Sequence, residues 1–304
     1  MDKLINGIAA GGQLRVAAAI TTRLVTEAHS RHKTSPTATA ALGRALTGSL
    51  LLASTLKDFD RLTLRIDGDG PAGPIVAEST KDKSAAGSLF VRGYIKNPTA
   101  ELPANSVGKF DVSGIVGKGT LSVIRESGFE LGLRPEPYVG SVPITSGEIA
   151  EDLAYYLLNS EQIPSAVMLG VLLQNKDPWV SASGGVLIQA MPGADENMLA
   201  DLESRISASP HLTSRIGSDT VPQSLLEPIL EGLGLEILEE KQLFFRCSCS
   251  LEKAIALVAA LGETEVSNIL AEDKGASLQC GFCGENYQLT ADHLISILNG
   301  NHEK

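Results

Sequence analysis

The chain has 304 residues, and 43% of them are hydrophobic, which is enough for a packed core and argues against wholesale disorder. Its net charge of −11 lies entirely in the last 124 residues: segment 181–240 carries −8 and segment 241–304 carries −3. This distribution argues against nucleic-acid binding, which needs clustered Lys and Arg. No apolar run approaches the ~20 residues of a membrane helix, and the N-terminus shows no signal-peptide pattern. We expect no nucleic-acid and no membrane partner.

The first 190 residues predict a mostly antiparallel α+β domain. A helix is expected over about 13–30 and another over about 36–57, where Ser35 suits the N-cap and Pro36 the first turn. Period-2 alternation between turn signals then predicts strands, followed by an amphipathic helix in SGEIAEDLAYYLLNSEQ. The strands are RLTLRI, PIVAES, SLFVRGYI, GTLSVIRE and YVGSVPI before that helix, and SAVMLGVLLQ and GGVLIQAM after it, around a turn at 175–178.

Residues 191–234 predict an acidic helical linker, which begins at the Pro192-Gly193 break. Two short segments, ENMLADLESRI and SLLEPILEGLG, each place apolar residues on one face, and Pro228 interrupts the second. Helices this short are not stable alone. We therefore expect their apolar faces to dock on the first domain, although an ordinary helical linker fits the same pattern.

All four cysteines lie in the last part of the chain, residues 235–304, which predicts a small C-terminal metal-binding domain. Cys247 and Cys249 form a C-x-C pair, and Cys280 and Cys283 form a C-x-x-C pair 30 residues later. Two thiol pairs at this spacing suit one tetrahedral metal; zinc with four thiolates is usual, and iron is the main competitor. Because zinc sites contribute about 10–16 kcal/mol, a domain with so thin a core should depend on its metal to fold.

The spacing leaves two interpretations of this site open. Most four-cysteine zinc sites are closed and serve only structure. The C-x-x-C spacing is also that of redox-active pairs, and a bend at Ser248 would bring Cys247 and Cys249 within disulfide range. Each half-site would then be able to leave the metal as its own disulfide, which would eject zinc and remove the main support of the domain.

The chain resembles the thirty-three-kilodalton heat-shock protein family, the redox-regulated holdase chaperones. The resemblance covers nearly the whole length and is carried by SPTATAALGRALTGSLLLA, GDGP, RGY, GKGTLSV, GEIAEDLAYYLLNSEQIPSAVMLGV, GGVLIQAMP, CSCS and CGFCGENYQL. It implies a reduced, inactive protein with one Zn²⁺ on Cys247, Cys249, Cys280 and Cys283. It further implies oxidation to the disulfides Cys247–Cys249 and Cys280–Cys283, zinc loss, linker unfolding, homodimerisation and binding of unfolding client proteins.

The leading hypothesis is thus a redox-switched chaperone that is not an enzyme and works in a reducing, cytoplasmic compartment. The alternatives are a thiol–disulfide oxidoreductase, which uses C-x-x-C catalytically, and a constitutive zinc-ribbon interaction module. Segment GIVGKGT superficially suggests a phosphate-binding loop, but Val112 and Gly119 stand where a Walker motif needs Gly and Ser or Thr. We therefore expect no nucleotide partner.

Overall fold

The computed structural model describes residues 1–56, 59–82, 87–105, 108–127, 136–177, 179–217 and 219–300. These residues form two compact units, Met1–Arg246 and Cys247–Lys304. The turn expected at 175–178 includes Pro178, which lies outside the described residues, as does the end of the helix expected over 36–57.

The first unit is built on a ten-stranded sheet. Its strands are β1 (Lys3–Ala9), β2 (Leu14–Ile20), β3 (Arg61–Gly68), β4 (Ile75–Lys81), β5 (Ser88–Ile95), β6 (Gly119–Glu126), β7 (Tyr138–Pro143), β8 (Ser165–Leu173), β9 (Val180–Ala190) and β10 (Glu236–Phe245). Their order across the sheet is β7-β6-β3-β4-β5-β10-β1-β2-β9-β8. Neighbouring strands of this sheet pair antiparallel, except that β10 runs parallel to β5. The predicted mixed α+β class with a mostly antiparallel sheet is confirmed.

The described residues before the linker also form the helices α1 (Thr22–His32), α2 (Pro36–Ser54), α3 (Val112–Val116) and α4 (Ala150–Asn159). Helix α2 begins as predicted, because Ser35 Oγ accepts a hydrogen bond from the Ala38 amide at 3.3 Å. Nearly all of α2 is buried, and its small residues allow close packing. A Cβ on Gly48 would lie 2.6 Å from Leu153 Cδ1 of α4, so the two helices approach closely at this glycine.

The helix predicted over 13–30 is wrong at its start, because residues 14–20 form strand β2 and the helix begins only at Thr22. Strand β2 is covered on both faces. Ala17 and Ala19 belong to the main hydrophobic core, whereas Val16 and Ala18 belong to a second apolar cluster. A strand buried on both faces has no polar alternation, and its alanines favour a helix when only local propensity is considered.

The linker covers this second face of the sheet. It contains α5 (Glu196–Ala208), a 3₁₀ turn (Leu212–Arg215) and α6 (Gln223–Leu226). The predicted docking is confirmed, because apolar linker residues share one cluster with residues of β1, β2 and β9. The buried members from the linker are Leu202, Leu212, Leu225, Leu226, Ile229 and Leu230, and those from the sheet include Ile5, Leu14, Val16, Ala18, Ile20, Val186 and Ile188.

Strand β10 follows the linker and is inserted between β1 and β5 of the large sheet. The predicted domain division assigns this segment to a C-terminal domain that starts at residue 235. By contacts, the second compact unit begins at Cys247. The division into a core domain (1–190), a linker (191–234) and a zinc-binding domain (235–304) stays a prediction.

The second unit contains α7 (Leu251–Ala259), α8 (Glu263–Glu272), the hairpin of β11 (Gly275–Gln279) and β12 (Asn286–Thr290), and α9 (Ala291–Leu298). Across the described ranges, no single helix has the length and hydropathy to cross a membrane. Helices α7 and α8 reach that length and hydropathy only when they are taken together, and a bend of 111° separates them.

Candidate metal centre

The first half of the cysteine site is an irregular segment at the start of the second unit. Cys247 and Cys249 precede α7, whose N-cap residue Ser250 accepts a hydrogen bond from the Lys253 amide at 3.3 Å. The Lys253 ammonium group donates to the backbone carbonyl of Ser248. One side chain of α7 thus contacts the backbone of the residue that separates the two cysteines.

The second half is the turn that joins β11 to β12. The Cys280 amide donates to the Glu285 carbonyl and the Gly284 amide donates to the Cys280 carbonyl, both at 2.8 Å. Gly284 has φ +72°, a backbone conformation that residues other than glycine rarely adopt. The chain therefore folds back tightly, and the hairpin presents Cys280 and Cys283 on one side of the turn.

The four Sγ atoms meet within 4.8 Å of one another. Two separations across the halves are shorter: Cys247 to Cys280 is 3.7 Å and Cys249 to Cys283 is 3.4 Å. A tetrahedron with Zn–S bonds of about 2.3 Å has S···S edges of about 3.8 Å, so the arrangement fits a four-thiolate metal. The distances exceed the disulfide length of about 2.05 Å, and all four cysteines are thiols.

Burial and one hydroxyl group shape the electrostatics of the thiols. Desolvation raises the pKa of the thiols of Cys249 and Cys283 above the ordinary value of 9.0. At Cys249 the hydroxyl of Tyr287, which donates to Sγ at 3.0 Å, opposes this rise in pKa. A bound dication would outweigh desolvation, since a thiol that coordinates zinc is deprotonated outright.

The core beneath the cysteines is small. The buried hydrophobic residues of its cluster are Ala254, Val258, Val266, Leu289, Leu294 and Ile297. Such a unit buries little apolar surface for its length, and domains of this size usually need a metal or disulfides in addition.

Comparison with known proteins identifies the family. The sequence model of the Hsp33 protein family matches residues 2–290. The chain belongs to the Hsp33 family. A 33 kDa chaperonin of Clostridium botulinum (strain Langeland) is 47% identical over 300 residues, covering 98% of this chain and 97% of the relative. One from Desulforamulus reducens is 42% identical over 303 residues, covering 100% and 99%.

A solved Hsp33 structure has the same fold. The crystal structure of the 33 kDa chaperonin (heat shock protein 33 homologue) of Thermotoga maritima matches with a TM-score of 0.86 and 34% sequence identity, and the match covers 98% of each chain. The resemblance predicted from the sequence is confirmed, and membership in a chaperone family supports a chaperone function for this chain.

The Hsp33 fold brings together all four cysteines singled out in the sequence. Sequence reasoning missed the residues around them, Tyr287 and Lys253. A signal for Tyr287 existed, because the period of a strand places Tyr287 and the buried Leu289 on the same face of β12. The contact of Lys253 with Ser248 had no comparable signal, since it depends on how α7 follows the cysteines.

Proposed function

We propose that the protein is an ATP-independent holdase chaperone whose activity is switched by the redox state of its cysteines. The reduced form holds one Zn²⁺ through Cys247, Cys249, Cys280 and Cys283 and is inactive. The observation that carries the proposal is the convergence of four thiols at a spacing that fits a tetrahedral metal, in a unit with a thin core.

Oxidation removes the ligands of the metal. With hydrogen peroxide, a thiolate sulfur attacks one oxygen, the O–O bond breaks, and hydroxide leaves. The partner thiolate then displaces hydroxide from the sulfenic acid, so each disulfide consumes one peroxide and yields two waters after proton uptake. Formation of Cys247–Cys249 and Cys280–Cys283 leaves no thiolate for zinc, and the second unit loses its support.

Loss of the second unit acts on the linker in this proposal. Strand β10 joins the linker to Cys247, and the linker buries its leucines against the sheet. Release of the linker would uncover apolar side chains on β1, β2 and β9, a surface of the kind that binds partners. The segment 181–240, which includes the linker, carries a net charge of −8 that would keep the opened protein soluble. Homodimerisation would enlarge the exposed client-binding surface.

A nucleotide cycle is not part of the proposal. Segment 114–120 leads from α3 into β6, whereas a phosphate loop leads from a strand into the N-terminus of a helix. In this proposal the protein holds a client by binding alone, without nucleotide hydrolysis. It does so in the cytoplasm under oxidative stress.

The test is light scattering of a heat-labile client together with a chromogenic zinc assay. Peroxide-treated protein should release one equivalent of zinc and suppress aggregation at near-stoichiometric ratio without nucleotide, and reductant plus zinc should reverse both. Equal suppression by the reduced, zinc-loaded protein would reject the switch and leave a constitutive zinc-ribbon module. Multiple turnovers of insulin reduction would favour the oxidoreductase.

A further inference from the structure

Tyr287 makes a hydrogen bond that crosses the two halves of the cysteine site. It lies on β12, paired with Leu278 of β11, and its ring packs partly buried against the small core of the second unit. Its hydroxyl donates to Cys249 Sγ at 3.0 Å. The hydrogen bond therefore ties the hairpin that carries Cys280 and Cys283 to a thiol of the other half-site.

This hydrogen bond has a chemical consequence for Cys249. A hydroxyl that donates to a thiolate stabilises its negative charge, and hydrogen bonds to charged groups are among the stronger ones. The sulfur lone pair that accepts this hydrogen bond is less available to attack an electrophile. The hydrogen bond still permits metal coordination, because a thiolate sulfur has further lone pairs. Groups that hydrogen-bond to metal ligands also orient those ligands.

We propose that Tyr287 is a positioning residue for Cys249, which holds this thiolate on the metal and slows its reaction with oxidants. The inference rests on the proposed function, in which the four cysteines bind zinc. In the peroxide reaction, the Cys249 sulfur forms the S–O bond while the O–O bond breaks and hydroxide leaves. The Tyr287 hydrogen bond must weaken as the sulfur loses its charge, so the hydroxyl favours the resting thiolate over the transition state.

The variant Tyr287→Phe removes the hydroxyl and keeps the ring. Zinc-loaded, reduced protein is exposed to pulses of iodoacetamide, and mass mapping gives an alkylation rate for each cysteine. Transfer of zinc to a chromogenic chelator is followed separately, in reductant and without oxidant. We expect Cys249 to be alkylated several-fold faster, with a smaller change at Cys280, and zinc affinity to fall by about 10-fold, at the low end of the effect of such supporting groups.

Two further variants separate this role from packing. Leu289→Ala loosens the same face of β12, since Leu289 is buried, but it keeps the Tyr287 hydroxyl. Leu289→Ala should raise the alkylation rates of all four cysteines together, whereas Tyr287→Phe should mainly raise that of Cys249. Tyr155→Phe makes the same chemical change on α4 of the first unit and should leave the alkylation pattern and zinc transfer unchanged.

The outcomes distinguish the inference from the proposed function. Normal zinc content in both proteins with the same or slower alkylation of Cys249 in Tyr287→Phe would overturn the role of Tyr287 alone. Equal acceleration of all four cysteines in Tyr287→Phe would assign the residue to packing and also overturn it. Less than half an equivalent of zinc in the reduced wild-type protein would overturn the proposed function and the inference with it.

Discussion

Cys249 and Cys283 lie 34 positions apart in the chain, yet their Sγ atoms lie only 3.4 Å apart. All four thiols are within 4.8 Å of one another, so proximity in the folded unit does not select neighbour pairs. Once the metal leaves, the separation of the cysteines along the chain would decide which of them form disulfides. The entropy of loop closure favours the shortest loops in an unfolding segment, and we expect oxidation to give Cys247–Cys249 and Cys280–Cys283.

Peptide mapping after peroxide treatment, with free thiols blocked, checks this pairing. A cross-pair between Cys249 and Cys283 would close a loop long enough to stabilise the unit by about 3–4 kcal/mol, which would oppose unfolding. Mainly cross-paired peptides would therefore contradict both the pairing and the release of the linker.

The second prediction concerns the variant Cys283→Ser. Cys283 is 2% exposed, and its loss removes one ligand of a site whose zinc form is worth about 10–16 kcal/mol. We expect less than half an equivalent of bound zinc and loss of hydrogen-exchange protection in α7, α8 and α9, while the strands at 61–81 and 180–190 stay protected. The control Ser277→Ala changes an exposed residue of β11 and should keep its zinc. Full protection of the second unit in Cys283→Ser would contradict metal-dependent folding.

The third prediction concerns two arginines of the linker that should act in opposite directions. All three guanidinium nitrogens of Arg215 are buried and lack a hydrogen-bond partner among the residues that the structure describes, and desolvation lowers the pKa of this side chain. Undocking returns the guanidinium to water. We expect Arg215→Leu to strengthen docking by about 1–3 kcal/mol, the penalty of unsatisfied buried groups, with slower hydrogen exchange across 196–230.

Arg205 serves as the matched control in the same linker. Its guanidinium donates to the Glu231 carbonyl at 2.5 Å and pairs with Asp201 at 2.8 Å. Arg205→Leu should therefore loosen the linker, by about 1 kcal/mol for the lost hydrogen bond and exposed ion pair. Faster or unchanged hydrogen exchange of the linker in Arg215→Leu would show that Arg215 is not a destabilising element of the docked state.

Local patterns predicted the elements that carry their own signals. The predicted strand SLFVRGYI begins and ends at the same residues as β5. Helix α2 begins directly after its predicted N-cap, Ser35. The four cysteines were predictable as one site, since tetrahedral metals favour paired spacing.

Features that depend on tertiary placement were not predictable. The pattern of β10 indicates a strand, but its insertion between β1 and β5 depends on pairings such as Lys3 with Gln242, far apart in the chain. The sequence of β2 lacks alternation because both of its faces are covered. The burial of Arg215 has no local signal, because it depends on the surface that the 3₁₀ turn meets.

The last prediction tests linker release without touching a cysteine. Gly170 of β8 pairs with Gly184 of β9, and a Cβ on Gly170 would lie 2.6 Å from Thr213 Cγ2 of the linker. The next nearest atoms, Thr213 N and Thr213 Cβ, would be 3.7 and 3.8 Å away. Gly170→Ala thus pushes against the linker, and we expect it to weaken docking by about 1–3 kcal/mol, as overpacking does. The reduced, zinc-loaded variant should suppress client aggregation in part, while its zinc content stays normal.

The double variant Gly170→Ala/Thr213→Ser supplies the control for this prediction. Serine lacks Cγ2, so the added methyl group would meet the linker at ordinary van der Waals distances, and docking and the inactive state should return. Thr213→Ser alone should change little, because it removes one methyl group and adds no clash. Hydrogen exchange across the linker and client light scattering, measured on all four proteins, give a double-mutant cycle. If the double variant is as active as Gly170→Ala, the glycine does not act through Thr213; if neither is active while exchange shows an open linker, release of the linker is not sufficient to expose the client-binding surface.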